Sequence, residues 1–435
     1  MHEALVHRRS PCIRRLAGNR AREMRFTRFL RNDAVTADKM AAHAAAATAK
    51  RVSGRHIVVI EDTTQLVLGG RKARANGFGA VGKGGTLSGL LLHAALAVEV
   101  GTAAVVGLAD MKIWNRKGKA GPRRGRATAE KESQRWVDGN ARIGEVLATA
   151  ASITVVRDRE ADFFEQFASC PTNVHQIVRV CQNRRIKGGT DRQASVRLFD
   201  YVDSLPEQGR FTVDVPAAPG RKARTAELAL RFSPVVLRKP LHGAAHDLPE
   251  TVALNLVDVR ELVPPADGEP LRWRLLTTHS VTDPEQARSI TDLYRLRWRI
   301  EEFFHTLKTG GFDIEDADIG DPWAMTNFAA AATIGAVTVM QLVRARDGTT
   351  DQPLTDAFEP GDEVILEAVS AKLEGKTARQ KNPHPTGSLA FAAWVIARLG
   401  GWTGYYAKPG PLVMRRGLED FQRIKYGVQL GLQDV

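Results

Sequence analysis

Tyr294, Arg297, Glu301 and Lys308 stand at offsets of three, seven and fourteen residues. On a continuous α-helix those steps return to nearly the same azimuth, so a phenol, a guanidinium, a carboxylate and an ammonium share one face. One acid among cations suits a metal ligand beside phosphate-binding groups. It also suits a solvated, charge-laced helix face. Two further carboxylates stand out. Asp62 follows the apolar run His56–Ile60, and Asp158 follows Ile153–Val156. Each run reads as a buried strand, and a carboxylate at the end of such a strand is a candidate site residue. Asp162 falls inside the helix expected after Asp158. Asp62, Asp158 and Glu301 together form an all-oxygen donor set, without histidine or thiolate, that suits Mg²⁺ or Mn²⁺. Two such ions about 3.5–4 Å apart could activate a water or a 3′-hydroxyl and stabilise the leaving oxygen of a phosphodiester.

The elements that must position these groups follow from periodicity. Leu293, Leu296, Ile300, Phe303, Phe304 and Leu307 recur at three- and four-residue steps, predicting one amphipathic helix over Ile290–Lys308 behind a strand at Trp273–Thr278. Leu90–Val98 and Ala103–Trp114 flank Val100-Gly101-Thr102 and predict an antiparallel hairpin. A helix over Ala129–Ala148, the strand ending at Asp158 and a fifth strand at Val174–Val180 complete the order expected of a ribonuclease H-like α/β sheet. Short alternating runs at Arg210–Val215, Ala226–Phe232 and Val252–Val259 predict an all-β insertion. The expected organisation is a basic helical region over 1–50 and the first part of the core over 51–187. The insertion covers 188–272, the last part of the core with the Glu301 helix covers 273–346, and a helical region covers 347–435. The last region suits equally a subunit interface or a small bundle of the same monomer.

Composition narrows the partners. A formal charge of +13 over 435 residues points to an extended anion such as DNA. Arg22, Arg25, Arg28 and Arg31 form a basic stripe, and the loop Lys117–Arg126 suits phosphate contact. Cys12, Cys170 and Cys181 make no metal or disulfide pattern. His242 and His246 lie in a Gly/Ala/Pro-rich loop with no third ligand nearby. Gly77–Lys83 matches G-x-x-x-x-G-K, but Gly84 replaces the Ser or Thr that would hold magnesium, so it reads as a glycine-rich loop and no P-loop. No secretory signal is expected, and Phe328–Met340 reads as a buried helix. The expected setting is soluble and cytoplasmic, at the nucleoid, with no membrane partner.

Ordered motifs add a family. IEDTT at Ile60–Thr64, DREAD at Asp158–Asp162, RWRIEEF at Arg297–Phe303 and the Tyr–x2–Arg–x3–Glu–x6–Lys signature at Tyr294–Lys308 are joined by KES-x-x-W at Lys131–Trp136 and ARLGGW at Ala397–Trp402. With these the sequence resembles the bacterial cut-and-paste DDE transposases of the insertion-sequence-four family, from about Arg22 to near the C-terminus. The resemblance implies that Asp62, Asp158 and Glu301 are the catalytic metal ligands. It implies that Tyr294, Arg297 and Lys308 hold phosphates of the transposon end. Trp273 occupies the place where related enzymes stack a base extruded from a DNA hairpin, and Arg179 resembles a phosphate contact. The implied partners are terminal inverted repeats, target DNA and a second copy of the chain. Relatives carry a longer helical domain before the block resembling RFLRN (Arg28–Asn32). A shortened, inactive chain that binds DNA or full-length subunits is therefore the alternative expectation.

Overall fold

Val100, Gly101 and Thr102 separate two long apolar runs, and the chain reverses there. Gly101 takes φ 88° and Ala103 φ 54°, the left-handed backbone that a tight reversal uses. The computed structural model describes residues 12–17, 19–69, 75–117, 131–188, 195–217, 222–241, 247–265 and 269–433. His242, His246 and the basic loop beyond Lys117 lie outside them.

Among the described residues the first strands are β1 (His56–Val67), β2 (Gly79–Val81), β3 (Leu87–Glu99), β4 (Val105–Trp114), β5 (Ser152–Arg157) and β6 (His175–Arg179). They continue as β7 (Arg185–Gly188), β8 (Ser195–Arg197), β9 (Gly209–Val215), β10 (Arg224–Arg238), β11 (Thr251–Glu261) and β12 (Arg272–Thr277). The helices begin with α1 (Ile13–Ala17), α2 (Arg20–Arg31), α3 (Ala37–Arg51), α4 (Gln134–Val146), α5 (Phe164–Ala168) and α6 (Leu198–Ser204). They end with α7 (Pro284–Arg295), α8 (Trp298–Lys308), α9 (Pro322–Ala345), α10 (Asp362–Leu373), α11 (Leu389–Leu399) and α12 (Pro411–Gln433). The strand order runs β4-β3-β1-β5-β6 and then β12-β11-β10-β7-β8, with β2 also on β3 and β9 also on β10. β5 and β6 are parallel, with Val156 opposite Ile177. This is the mixed α/β, ribonuclease H-like architecture that the strand order in the sequence predicts.

The chain divides into two compact units, Met1–Ile57 with Asp62–Lys119 and Arg299–Val435, and Val58–Glu61 with Ala120–Trp298. In the first, β3 pairs antiparallel with β4, Leu92 opposite Ile113. Helices α3 and α9 pack on β4, and α9 also meets α2, α3, α11 and α12. α9 is apolar almost all round, which requires burial on every side. By length and composition it could cross a membrane, yet 78% of its most apolar window is buried inside the protein. Two of its buried amides are satisfied there. Asn327 donates to the carbonyls of Leu30 and Val35, both at 2.9 Å, and Gln341 to those of Val106 and Asp356 at 3.0 and 2.9 Å.

In the second unit, β12 pairs antiparallel with β6 and β11, so β9, β10 and β11 extend the sheet that begins at β5. Leu228, Leu230 and Phe232 of β10 point into the core while Glu227 is exposed, as the alternation predicts. One apolar cluster joins Trp136, Phe164 and Phe167 to Val178, Leu237, Leu256 and Leu276.

At the edge of this unit the rings of His175 and His279 stack 4.0 Å apart. His279 Nε2 lies 2.9 Å from Thr154 Oγ1. Burial, with His175 alongside, pushes His279 down from 6.5 to about 4. The unfolded chain therefore binds a proton at His279 more readily than the folded one. Stability contributed at neutral pH is lost as pH falls from about 6.5 towards 4. The melting temperature should drop across that window, and His279→Gln should flatten the decline in thermal unfolding followed by circular dichroism.

Candidate active site

Asp62 is carried by β1, but not at its end. The expectation that the strand stops near Ile60 is corrected, because hydrogen bonding continues to Val67. Thr63 and Thr64 are β-branched and sustain the strand although they are polar. The burial changes instead: Ile57–Glu61 are buried, whereas Asp62–Gln65 are half-buried. Asp62 Oδ1 accepts the Thr63 N–H at 2.7 Å.

Asp158 does follow the last residue of its strand, β5. It caps the 3₁₀ turn Arg159–Ala161, accepting the Glu160 N–H at 2.9 Å. Asp162 does not lie inside a helix as expected; it closes that turn and is buried. Its Oδ2 accepts the N–H groups of Cys181 and Gln182 at 2.7 and 2.8 Å, and Oδ1 pairs with Arg184. Asp162 thus ties the turn after β5 to the chain leaving β6, a structural role.

The single helix predicted over Ile290–Lys308 is corrected to two. Leu296 N–H bonds to Leu293 O at 3.2 Å and Arg297 N–H to Tyr294 O at 3.0 Å, both steps of three. That tightening ends α7 at Arg295 and starts α8 at Trp298, so the four signature residues do not share the face of one continuous helix. Tyr294 is also buried, 4% exposed, where a solvated face was the alternative.

Within the second unit, Tyr294 has company. The positive charge of Arg179, at the end of β6, bears on its phenol. The Trp273 ring lies 6.1 Å from the Tyr294 ring at a 58° tilt. Burial pushes the phenol up, the positive charges of Arg179 and Arg297 pull it down, and Asp158 adds to the upward push. Asp158, Arg179 and Arg297 thus act on Tyr294 through their charges, and Trp273 through its ring. Arg179 Nη2 also donates to the Arg272 carbonyl at 3.1 Å, which fixes its guanidinium against β12.

The chain matches the family model described as Transposase DDE domain over residues 112–336, slightly more than half of its length. It belongs to the DDE transposase family. The matched segment contains Asp158 and Glu301, while Asp62 precedes it. DDE transposases use divalent metals. Among the described residues no three His, Cys, Asp or Glu side chains stand together as a ready metal site. The donor chemistry of Asp62, Asp158 and Glu301 nonetheless fits a hard cation. All three are half-buried, and a carboxylate oriented through one oxygen retains acceptor capacity on the other.

In the first unit of this DDE chain, Lys308 is engaged by the protein itself. Its Nζ donates to the Gln65 carbonyl at 2.6 Å and lies 3.3 Å from Glu315 Oε1. Glu315 Oε1 also accepts the Val67 N–H at 3.0 Å, and Gln65 Oε1 accepts the Gly82 N–H. Neither Gln65 nor Glu315 carries a sequence signal, because each accepts a backbone N–H from a residue distant in the chain, Gly82 and Val67. Glu302 grips Arg299 with both oxygens, at 3.0 and 3.1 Å, a pairing that the three-residue helical spacing permits.

The two aspartates of the DREAD segment should separate cleanly. Asp162→Asn breaks a buried ion pair and should lower unfolding free energy by roughly 3 kcal/mol. Asp158→Asn keeps the turn and should change it by less than about 1 kcal/mol. Urea denaturation of the two variants provides the comparison.

Proposed function

We propose that this transposase is a cut-and-paste enzyme in which Asp62, Asp158 and Glu301 hold two divalent cations, Mg²⁺ or Mn²⁺, and act on the phosphodiesters at transposon ends. The observation that carries the reading is the group of Arg179, Arg297 and Trp273 around Tyr294 in a chain of the DDE transposase family. Guanidinium groups match phosphate oxygens in a fixed fork, so Arg179 and Arg297 suit the backbone of a DNA end. The Arg272 carbonyl orients Arg179, and the Tyr294 ring flanks Trp273. An indole so placed suits stacking of an extruded base, the step that relieves strain in a DNA hairpin. The bound cations would supply an activated water or 3′-hydroxyl and neutralise the leaving oxygen. Lys308, besides its hold on β1, has a third N–H to offer a phosphate. The partners in this reading are terminal inverted repeats, target DNA and a second copy of the chain, each subunit cutting one end.

Two measurements test the reading. On a supercoiled plasmid carrying two transposon ends, Glu301→Gln should abolish Mg²⁺-dependent nicking and joining while leaving DNA affinity within about twofold, since the phosphate-binding arginines are untouched. Glu302→Gln should nick normally, because its pair with Arg299 is worth under about 1 kcal/mol. The reverse pattern would remove Glu301 from the triad. Binding to end DNA should weaken on the order of a thousandfold between about 50 and 200 mM salt, as several neutralised phosphates require. Salt-insensitive binding in a gel shift would mean that the basic residues are solvated faces.

A further inference from the structure

Directly before Asp62 and Asp158 in the chain stand Glu61 and Arg157, both wholly buried in the second unit. Their side chains form an ion pair, Arg157 Nε and Nη2 reaching Glu61 Oε2. The guanidinium is satisfied on its other edge too. Nη2 donates to Asn140 Oδ1 at 2.7 Å and Nη1 to Gln176 Oε1 at 3.1 Å. Gln166 closes the cluster. With its amide oxygen and nitrogen exchanged, it donates to the Trp136 carbonyl at 3.2 Å and accepts from Arg157 Nη1 at 2.6 Å. α4 makes room for this arrangement: a Cβ at Gly139 would lie 2.5 Å from Glu61 Oε1.

Stability does not account for such a cluster. Desolvating two charges costs several kcal/mol, and apolar side chains of similar volume commonly do as well or better. What the charges provide is a single geometry, since a fork with four fixed acceptors admits little displacement. Successive strand residues point to opposite faces, so Asp62 projects from β1 opposite Glu61, and Asp158 follows Arg157 at the end of β5. We propose that Glu61 and Arg157, with Asn140, Gln166 and Gln176, are positioning residues that fix the backbone from which Asp62 and Asp158 project. The proposal rests on the assignment of those two aspartates as metal ligands.

The test replaces the pair by apolar residues of similar volume, Glu61→Leu with Arg157→Met, in the full-length chain. Melting temperature, affinity for end DNA, Mn²⁺ affinity by titration with paramagnetic resonance, and nicking rate are compared. The expected result is near-normal melting and DNA binding, with Mn²⁺ affinity and nicking reduced about ten- to a hundredfold, the usual cost of losing support behind a metal ligand. A folded double variant with normal Mn²⁺ affinity and nicking overturns the proposal. Should the double variant not fold, Gly139→Ala decides, because it keeps all five polar residues and displaces only the Glu61 carboxylate. Weakened Mn²⁺ binding in folded Gly139→Ala supports the proposal, and normal binding overturns it. If neither variant folds, the cluster is a stability element and the proposal falls. Asp62→Asn and Asp158→Asn separate this failure from one of the triad itself. Normal Mn²⁺ affinity in both would mean that the aspartates are not ligands, and both readings fall together.

Discussion

Strand β1 passes through two environments within twelve residues, and much of the surrounding structure follows from that constraint. Its first half is dry, so each backbone group must find a partner in the sheet, and the one charge it carries, Glu61, must be matched inside the core. Arg157 is that match. Beyond Glu61 the strand becomes half-buried, and its side chains turn to polar work. Gln65 receives the Gly82 N–H on its side chain and Lys308 on its carbonyl, and the Val67 N–H is taken by Glu315. A carboxylate at the change of environment, Asp62, has a rigid strand beneath it and access to solvent above.

The same division runs through the acidic residues at large. Among the described residues the buried acids are Glu61, Asp162, Asp258, Glu261, Asp356 and Asp362. Each has a cation beside it: Arg157, Arg184, Arg272, Arg224, Arg55 and Lys425 respectively. Burying an unmatched carboxylate would cost more than a marginally stable fold can absorb, and a chain of formal charge +13 has arginine to spare. Asp62, Asp158 and Glu301 differ by being half-buried.

Periodicity in the sequence locates the hairpin of β3 and β4 and places Asp158 at the end of its strand. Each depends on neighbours close in the chain or on a regular repeat. The break between α7 and α8 was illegible because it has no glycine or proline. It arises from two hydrogen bonds that each shorten by one residue, and no residue type marks them. The length of β1 exceeds its apolar run because β-branched threonines continue the strand without apolarity. Glu315 and Gly139 were invisible for a third reason. Their significance comes from partners hundreds or tens of residues away, which only the folded chain brings near.

Helix α9 carries a consequence for how the protein comes into being. It is held by α2, α3 and β4, made earlier on the ribosome, and by α11 and α12, made later. Until α11 and α12 emerge, one flank of a 24-residue apolar helix has no cover. The first unit therefore cannot close before they are made. A nascent chain halted before α11 would expose a surface resembling an unassembled membrane span, attractive to chaperones and insertion machinery alike.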